Sequence, residues 1–274
     1  MKKALNAWTV PAQVPFEELF QKLSAAGYDG VELNLDREAT GHALTMDTTS
    51  VQTAEIKKLS QAYNLPVHSI SSSLYVAETL GSDDPACRRR GQDILRKQLE
   101  LASALGADGI LVVPGGVSDE RSLTRAWDNS LESLSALKDE IVQSGVKVGV
   151  ENVWNGFFLS PRDMAAFIDT LDCPGIGAYF DVGNVEIFSN PQDWIEVLGS
   201  RIVKVHVKDF ARTSSNAGHF VNLLEGSIDW CKVKAALGAA GYQGYLTAEV
   251  DTFHRTPEYQ YEITKMALDH IISL

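Results

Sequence analysis

The sequence has few of the features that mark secreted, membrane-spanning or disulfide-rich proteins. Only three of its 274 residues are cysteines, Cys87, Cys173 and Cys231, and their wide spacing fits neither a disulfide framework nor a metal motif. No apolar run approaches the roughly 20 residues needed to span a bilayer. The first ten residues, "MKKALNAWTV", lead into Pro11 before a signal-type apolar segment develops. These absences predict a cytoplasmic protein with reduced thiols and no membrane partner.

Positive charge is also scarce. The chain has 24 Lys and Arg residues against 36 Asp and Glu residues, which gives a net charge of −12. Because nucleic-acid binding usually requires a basic patch or stripe, we expect no nucleic-acid partner. A small phosphorylated substrate is still allowed, since one local cluster of Arg or Lys would be enough to bind it.

No low-complexity linker or composition shift divides the chain, so residues 1–274 are predicted to form a single domain. A β-rich apolar run followed by a helical pattern recurs eight times along it. The strand candidates are 3–8, 29–35, 65–71, 108–113, 146–151, 176–181, 202–207 and 244–250. The helix candidates are 16–26, 48–63, 86–105, 121–144, 161–170, 191–199, 230–240 and 257–273.

Eight strands alternating with eight helices predict an α/β fold, a single (β/α)8 TIM barrel with a parallel eight-stranded barrel ringed by helices. A doubly wound open sheet is the alternative. It is weakened because the first strand is followed by "NAWTVPAQVP" where a dinucleotide-binding sheet would have G-x-G-x-x-G. Ser160 before Pro161 and Asn190 before Pro191 are predicted helix N-caps, and glycines in "AAGYDG", "ALGADG" and "AAGYQG" are predicted helix ends.

Four consecutive predicted strands end in side chains that can bind a metal ion. The fifth strand ends at Glu151, the sixth at Asp181 and the eighth at Glu249, and His206 lies in the last part of the seventh. In a (β/α)8 barrel the carboxyl ends of all strands face one mouth, where active sites are built. These four side chains are therefore expected to converge.

Each of the four has an ordinary interpretation when taken alone. A carboxylate at a strand end is usually solvated, and a histidine inside a strand is usually a hydrogen-bonded core residue. Together they favour a metal site, because converging carboxylates would repel one another and hold protons unless a divalent cation lay between them. Three oxygen ligands and one imidazole suit Mn²⁺, Mg²⁺ or Co²⁺ better than a structural zinc with sulfur ligands.

Two polar residues inside predicted strands are candidates for substrate binding. Glu32 in "GVELN" has apolar neighbours on both sides, so its burial would require a substrate hydroxyl or a metal-ligand side chain as partner. The alternative for Glu32 is a salt bridge at the barrel rim. His68 in "PVHSISSS" is interpreted as lining the pocket at the mouth, against the alternative of a structural histidine.

Four more residues are expected at the mouth. Trp8 and Trp154 offer aromatic surfaces that suit the C–H faces of a sugar, although either can simply pack. Arg212, six residues after His206, is within reach of an anionic or polyol substrate, or is solvated in its loop. Lys208, directly after the seventh strand, is a further candidate for substrate binding.

The segments "VGVENVWNGFFLSP", "GAYFDVGNVEIF", "VKVHVKDF" and "YLTAEV", in this order, resemble the sugar phosphate isomerase/epimerase superfamily, the xylose isomerase-like TIM barrels. The resemblance covers essentially the whole chain and is strongest from about residue 145 to 250. Within that superfamily the sequence is most similar to the ketose 3-epimerases and to the L-xylulose-5-phosphate or hexulose-6-phosphate epimerases and isomerases.

The resemblance implies roles for individual residues. Glu151, Asp181, His206 and Glu249 match the family's metal ligands, and Glu151 and Glu249 also match its acid/base pair on opposite faces of a bound ketose. The implied cofactor is a divalent ion, Mn²⁺ first, with Mg²⁺, Co²⁺ or Zn²⁺ as alternatives. The implied substrate is a keto-sugar or sugar phosphate, and the implied intermediate is an enediolate. Arg212 matches a family arginine near the substrate, and a homo-oligomer, dimer or tetramer, is also implied.

Two positions depart from the ketose 3-epimerase pattern. Asn184 stands where that group has a histidine, three residues after the aspartate of the sixth strand. Phe157 stands where it has a substrate-contacting glutamate, six residues after the glutamate of the fifth strand. Asn184 is expected to offer hydrogen bonds to the substrate, but an amide cannot carry a proton or charge near neutral pH.

The motifs leave alternative functions open. Relatives with this barrel include lyases that dehydrate keto-inositols or cleave 3-keto-glycosides with the same metal site. A lyase reaction would be told from isomerisation by its product, which has lost water or an aglycone. An endonuclease acting on abasic DNA is disfavoured by the acidic balance and by the lack of extra histidines for a three-metal cluster. A non-catalytic sugar-binding barrel is disfavoured because it needs no pair of proton-transferring glutamates.

Overall fold

Eight parallel strands close into a barrel in the computed structural model, which describes residues 1–214 and 217–274. Closure occurs where the first strand pairs on one side with the second and on the other with the last. The barrel strands are β1 (Lys2–Asn6), β2 (Gly30–Leu35), β3 (Val67–Ser72), β4 (Gly109–Val112), β5 (Lys147–Glu151), β6 (Ile176–Asp181), β7 (Ile202–Val207) and β10 (Tyr245–Ala248). The predicted (β/α)8 barrel is confirmed, and each strand lies where the sequence predicts one.

Nine α-helices in the described part of the chain surround the barrel. They are α1 (Phe16–Ala26), α2 (Ser50–Ala62), α3 (Pro85–Leu105), α4 (Leu123–Ser135), α5 (Lys138–Ser144), α6 (Pro161–Leu171), α7 (Pro191–Leu198), α8 (Trp230–Ala239) and α9 (Pro257–Ser273). Within the residues that the structure describes, none of these helices is both long and apolar enough to cross a membrane.

The prediction of one helix over 121–144 is wrong, because the structure has two helices there. Helix α4 ends at Ser135, and Leu137 leaves the helical conformation with φ −109° and ψ 3°. The break allows apolar side chains before and after it to pack in the core, since all three of these leucine and isoleucine side chains are buried: Leu134, Leu137 and Ile141. The local sequence "SALKDEI" contains neither glycine nor proline, and it therefore carries no signal for this interruption.

A two-stranded antiparallel hairpin, β8 (Asp209–Ser214) and β9 (Ala217–Val221), follows β7 at the mouth of the barrel. Buried Asp209 organises its base, since its Oδ2 accepts hydrogen bonds from the Leu224 backbone N–H and the Trp230 Nε1, both at 2.9 Å. Most hairpin side chains are exposed, so the sequence lacks the apolar alternation that would predict these strands. The hairpin fixes the position of Lys208, which lies between it and β7.

The predicted helix boundaries are mostly confirmed in their details. Gly27 and Gly106 end α1 and α3 with left-handed φ values of 88° and 83°. Ser160 caps α6 by accepting a hydrogen bond from the Asp163 backbone N–H. Asn190 occupies the N-cap position of α7 without a capping bond, because its amide donates instead to the Asp193 carboxylate.

The amino-terminal end of the barrel is closed by a buried cluster around Lys204. Its ammonium group pairs with Asp108 and donates to the His68 backbone carbonyl at 2.9 Å. The His68 ring stacks on Tyr245 at 4.2 Å between centroids and lies 3.1 Å from the Thr247 hydroxyl. His68 is the second residue of β3 and therefore lies at the opposite end from the mouth, so its prediction as pocket lining is wrong.

Candidate metal centre and active site

Four side chains meet at the carboxyl end of the barrel. Glu151 and Asp181 are the last residues of β5 and β6, His206 is directly opposite Asp181 in the β6–β7 register, and Glu249 follows β10 by one residue. One ligand atom from each residue lies within 4.8 Å of those of the other three. The predicted convergence is thus present in the structure, with Glu151, Asp181 and His206 buried and Glu249 partly exposed.

The electrostatics of this cluster fit a divalent cation. Burial raises the pKa of Glu151 to about 7 and also raises the pKa of Asp181, because neither carboxylate has enough positive charge around it. Asp181 Oδ2 is buried and makes no hydrogen bond to any residue that the structure describes, although Lys208 Nζ lies 3.0 Å away. An unsatisfied carboxylate oxygen beside two more carboxylates and an imidazole is the donor set that Mn²⁺ or a similar ion binds.

The imidazole of His206 is oriented by carboxylates that lie next to both of its ring nitrogens. Its Nδ1 lies 3.3 Å from Glu151 Oε1 and 3.7 Å from Glu249 Oε2, and therefore faces the cluster. Its Nε2 lies 2.5 Å from Glu32 Oε2 on the other side. Burial alone would lower the pKa of His206, but these carboxylates raise it well above its ordinary value. With Nε2–H donating to Glu32, the lone pair of Nδ1 would be available to a metal ion.

Glu32 is held behind His206 by a buried hydrogen-bond network. The Tyr179 hydroxyl donates to its Oε1 and the Asn6 amide to its Oε2, both at 2.6 Å. Burial opposes its ionisation, but the charge of His206 and these hydrogen bonds bring its pKa down to about 2. Glu32 is fully buried and lies against a candidate metal ligand, His206.

Lys208, predicted at the mouth as a substrate-binding residue, lies inside the cluster and pairs with two of its carboxylates. Its Nζ is 2.7 Å from Glu249 Oε2 and 3.0 Å from Asp181 Oδ2. The carboxylates outweigh the effect of burial and raise the pKa of Lys208 above its ordinary value. The ammonium group in turn counters the burial of Glu249, whose pKa is lowered. Lys208 therefore supplies positive charge next to the proposed acid/base pair.

Two asparagines connect the ends of β5 and β6. The Asn152 side chain accepts from the Asp181 backbone N–H at 2.9 Å and donates to the Asp181 carbonyl at 2.8 Å. Asn184 donates from its backbone N–H to Asp181 Oδ1 and from its amide to the Asn152 carbonyl. The Asn184 amide nitrogen, predicted to face the substrate, is thus engaged in holding the loop that carries Asp181.

A cavity of about 680 Å³ opens in front of the cluster. Glu249 and Lys208 form its floor, and Trp8, the hairpin residue Phe220 and the segment 250–254 form its walls. Trp8 is 39% exposed and lines this cavity, and its binding of a substrate stays a prediction. The volume is within the range of roughly 300–1,000 Å³ that is typical of small-molecule sites.

The structure gives Arg212 and Trp154 packing roles. The Arg212 guanidinium pairs with the Glu186 carboxylate at 3.0 Å and donates to the Glu186 backbone carbonyl, so it ties the hairpin to the segment after β6. Trp154 donates from Nε1 to the Asn184 carbonyl at 2.6 Å and packs on Phe220. Neither residue borders the cavity, in contrast to the prediction that both bind substrate.

Phe157 is part of an aromatic cluster beneath the loop after β5. It is 1% exposed, and its ring lies 5.6 Å from Trp127 and 5.4 Å from Phe167. A glutamate at this position would bury an unpaired charge among aromatic rings. Phe157 therefore packs in the core, at the position where the ketose 3-epimerase pattern predicts a glutamate that contacts the substrate.

Phe157→Leu is expected to lower the free energy of unfolding by about 1–3 kcal/mol, because it leaves a gap among these rings. Chemical denaturation of the metal-free protein measures the change. The matched control is Phe188→Leu, since Phe188 is 52% exposed and should change stability by no more than about 0.5 kcal/mol. Equal stability of the two variants would show that the cluster does not depend on Phe157.

Comparison with known proteins agrees with this architecture. The profile of the xylose isomerase-like TIM barrel family matches residues 20–269, and the chain belongs to that family. An L-ribulose 3-epimerase of Methylomonas sp. (strain DH-1) is 28% identical over 82% of this chain and 74% of its own. A putative L-ribulose-5-phosphate 3-epimerase of Escherichia coli (strain K12) is 26% identical over 83% of this chain and 81% of its own.

The fold is also that of solved structures. The crystal structure of the IOLI protein with a bound zinc atom superimposes with a TM-score of 0.82 at 17% identity, covering 100% of this chain and 98% of that one. The class of protein is thus defined by fold and family together. It is a xylose isomerase-like barrel whose relatives over most of its length are carbohydrate epimerases.

Proposed function

We propose that the protein is a divalent-metal-dependent isomerase or epimerase of keto-sugars, with Glu151 and Glu249 as its acid/base pair. The observation that carries this proposal is the placement of both glutamates in one cluster with Asp181 and His206, beside a cavity of small-molecule size that Glu249 lines. The family of the chain and the carbohydrate epimerases among its relatives support the same reaction class.

The metal ion would be held by three carboxylates and one imidazole nitrogen, those of Glu151, Asp181, Glu249 and His206 Nδ1. Mn²⁺ suits this set of oxygen and nitrogen donors. When bound, such an ion would polarise the substrate carbonyl and stabilise negative charge on the enediolate. Glu32 would keep the Nε2 proton of His206 directed away from the ion. Asn152 and Asn184 would hold the Asp181 loop in its orientation.

The protein's own groups would move the proton. One of the two glutamates removes the proton from the carbon beside the carbonyl, and the other returns a proton from the opposite face, which inverts that carbon. Return of the proton to the neighbouring carbon gives aldose–ketose isomerisation instead. Lys208, 2.7 Å from Glu249, keeps this carboxylate ionised and ready to accept a proton. Trp8 and Phe220 limit the access of water to the reacting carbons.

A substrate panel with controlled metal content tests this function. Protein stripped of metal with a chelator is incubated with ketopentoses and ketohexoses, free and phosphorylated, with and without added Mn²⁺. We expect an epimer or isomer of unchanged mass to form only when Mn²⁺ is present. Product formation that is equal with and without metal, or a product that has lost water or an aglycone, would contradict the proposal.

A further inference from the structure

We propose that the substrate carries a hydroxylated, unphosphorylated extension, and that a second cavity beside the metal centre binds it. This inference rests on the proposed function and narrows its substrate class. The second cavity has a volume of about 500 Å³ and shares Trp8, Thr252 and His254 with the first. We call it the distal cavity; it is lined further by Gln13, Asn34, Asp36, Thr40 and His42, among others.

Trp8 forms a rigid wall common to the two cavities. Its indole Nε1 donates to Asp36 Oδ2 at 3.0 Å, and its backbone N–H donates to Asn6 Oδ1 at 2.8 Å. The ring is therefore fixed from both ends while 39% of the residue stays exposed. An aromatic face shared by two adjacent cavities suits a ligand that occupies both of them and packs its C–H surface against the indole ring.

The distal cavity presents hydrogen-bond acceptors. Asn34 lines it and is 2% exposed, and the Asn34 amide nitrogen donates to Ser71 Oγ and Asn6 Oδ1. The Asn34 Oδ1 has no hydrogen-bond partner among the described residues. The Asp36 carboxylate lies in the same cavity. A buried acceptor without a partner is costly, and a ligand hydroxyl group that reached it from the cavity would satisfy it because a hydroxyl can donate.

The charges around the two cavities oppose a phosphate group. Among the described residues that line them, Lys208 is the only lysine or arginine, and Glu249 and Asp181 already pair with it. Asp36 and Asp251 add negative charge. A phosphate monoester offers acceptor oxygens and negative charge, so it would face the Asp36 and Asp251 carboxylates there.

Of the other basic side chains nearby, His254 lines both cavities, whereas His42 contacts backbone carbonyls and Arg37 faces elsewhere. Both ring nitrogens of His42 contact backbone carbonyls, those of Val14 and Ala7, at 2.7 and 3.0 Å. Arg37, next to Asp36 in sequence, borders another cavity together with Glu78 and Asp93, and Asp36 borders that cavity as well. Among the described residues, the distal cavity therefore has no lysine or arginine to bind a phosphate, and it suits a neutral donor group such as a second sugar unit.

Three ketoses that differ only at O6 test this inference: fructose, fructose 6-phosphate and isomaltulose, in which a glucosyl unit replaces the phosphate. Binding to Glu151→Gln loaded with Mn²⁺ is measured by calorimetry, which requires no turnover. We expect isomaltulose to bind at least about tenfold more tightly than fructose, and fructose 6-phosphate at least about tenfold more weakly than isomaltulose. Tighter binding of the phosphate, or equal binding of fructose and isomaltulose, would overturn the inference.

A variant pair locates the effect in the distal cavity. Asp36→Ala removes its carboxylate and releases Trp8, so the isomaltulose-to-fructose ratio should fall towards one. Asp47→Ala is the matched control, because Asp47 lines the cavity of Arg37 and should leave the ratio unchanged. An unchanged ratio in Asp36→Ala would also overturn the inference. Failure of the wild type to turn over any ketose would instead contradict the proposed function, since the binding ratios do not depend on turnover.

Discussion

Glu151→Gln and Glu249→Gln are each expected to lower kcat by about 10²–10⁴-fold, the range that a single general acid or base contributes. The amide keeps the shape of the side chain and an oxygen that can contact the metal, but it cannot accept or deliver a proton near neutral pH. Steady-state kinetics in saturating Mn²⁺ measures the loss, and metal analysis of each variant separates a chemical defect from loss of the ion.

The matched control is Glu262→Gln, a change of the same type on the exposed surface of α9, which should leave kcat as it is. If either active-site variant kept more than about a tenth of the wild-type kcat while loaded with metal, that glutamate would not be a proton-transfer group.

Glu32→Gln is expected to weaken Mn²⁺ binding by about 10–100-fold, although Glu32 does not reach the cluster itself. The glutamate contacts His206 Nε2 at 2.5 Å and fixes both the orientation of the ring and the position of its proton. A neutral amide there would loosen the ring and make its other nitrogen a poorer ligand. Calorimetry measures the affinity, and the visible spectrum of the Co²⁺-loaded protein reports a change in ligand geometry.

A graded pair of variants separates this positioning effect from general damage to the fold. Tyr179→Phe removes one hydrogen bond from Glu32 and should weaken metal binding by less than Glu32→Gln. His68→Gln changes an equally buried polar residue at the far end of the barrel and should leave both the affinity and the Co²⁺ spectrum unaltered. A Glu32→Gln protein with wild-type affinity and spectrum would show that Glu32 does not position His206.

The barrel could be predicted from the sequence because the features that mark its strands and helices are local and recur along the chain. Apolar runs ending at Glu151 and Asp181, and the glycines after α1 and α3, mark strands and helix ends within a few residues. The break between α4 and α5 was not readable, because packing of Leu137 into the core causes it and no glycine or proline marks it. The hairpin after β7 was missed because most of its side chains are exposed.

The candidate ligands could be predicted because the strands of a parallel barrel all have their carboxyl ends at one mouth, and this does not depend on the exact bounds of the helices. Their supporting groups were harder to find. Asn6, Tyr179 and Glu32 belong to three separate strands, and only the closure of the barrel brings them together. Gly149 on the neighbouring strand gives Tyr179 its room, since a Cβ there would lie 2.8 Å from the Tyr179 Cβ.

His68 shows why strand direction matters as much as strand identity. Its strand was recognised, but β3 continues to Ser72, so His68 lies near the beginning of the strand and the serines lie near the mouth. Arg212 shows a different limit. Its spacing from His206 placed it near the mouth, but its contacts with Glu186 depend on the hairpin and on the loop after β6.

Exchange of substrate hydrogen with D₂O tests the central claim most directly. Wild-type protein loaded with Mn²⁺ is incubated in D₂O with a ketose that it turns over, and NMR locates deuterium in the sugar. The two-glutamate mechanism predicts product with deuterium at the carbon beside the carbonyl, no such product from Glu151→Gln or Glu249→Gln, and no exchange after metal removal. Product that forms without deuterium at that carbon would contradict enolisation, and with it the role of Glu151 and Glu249 as an acid/base pair.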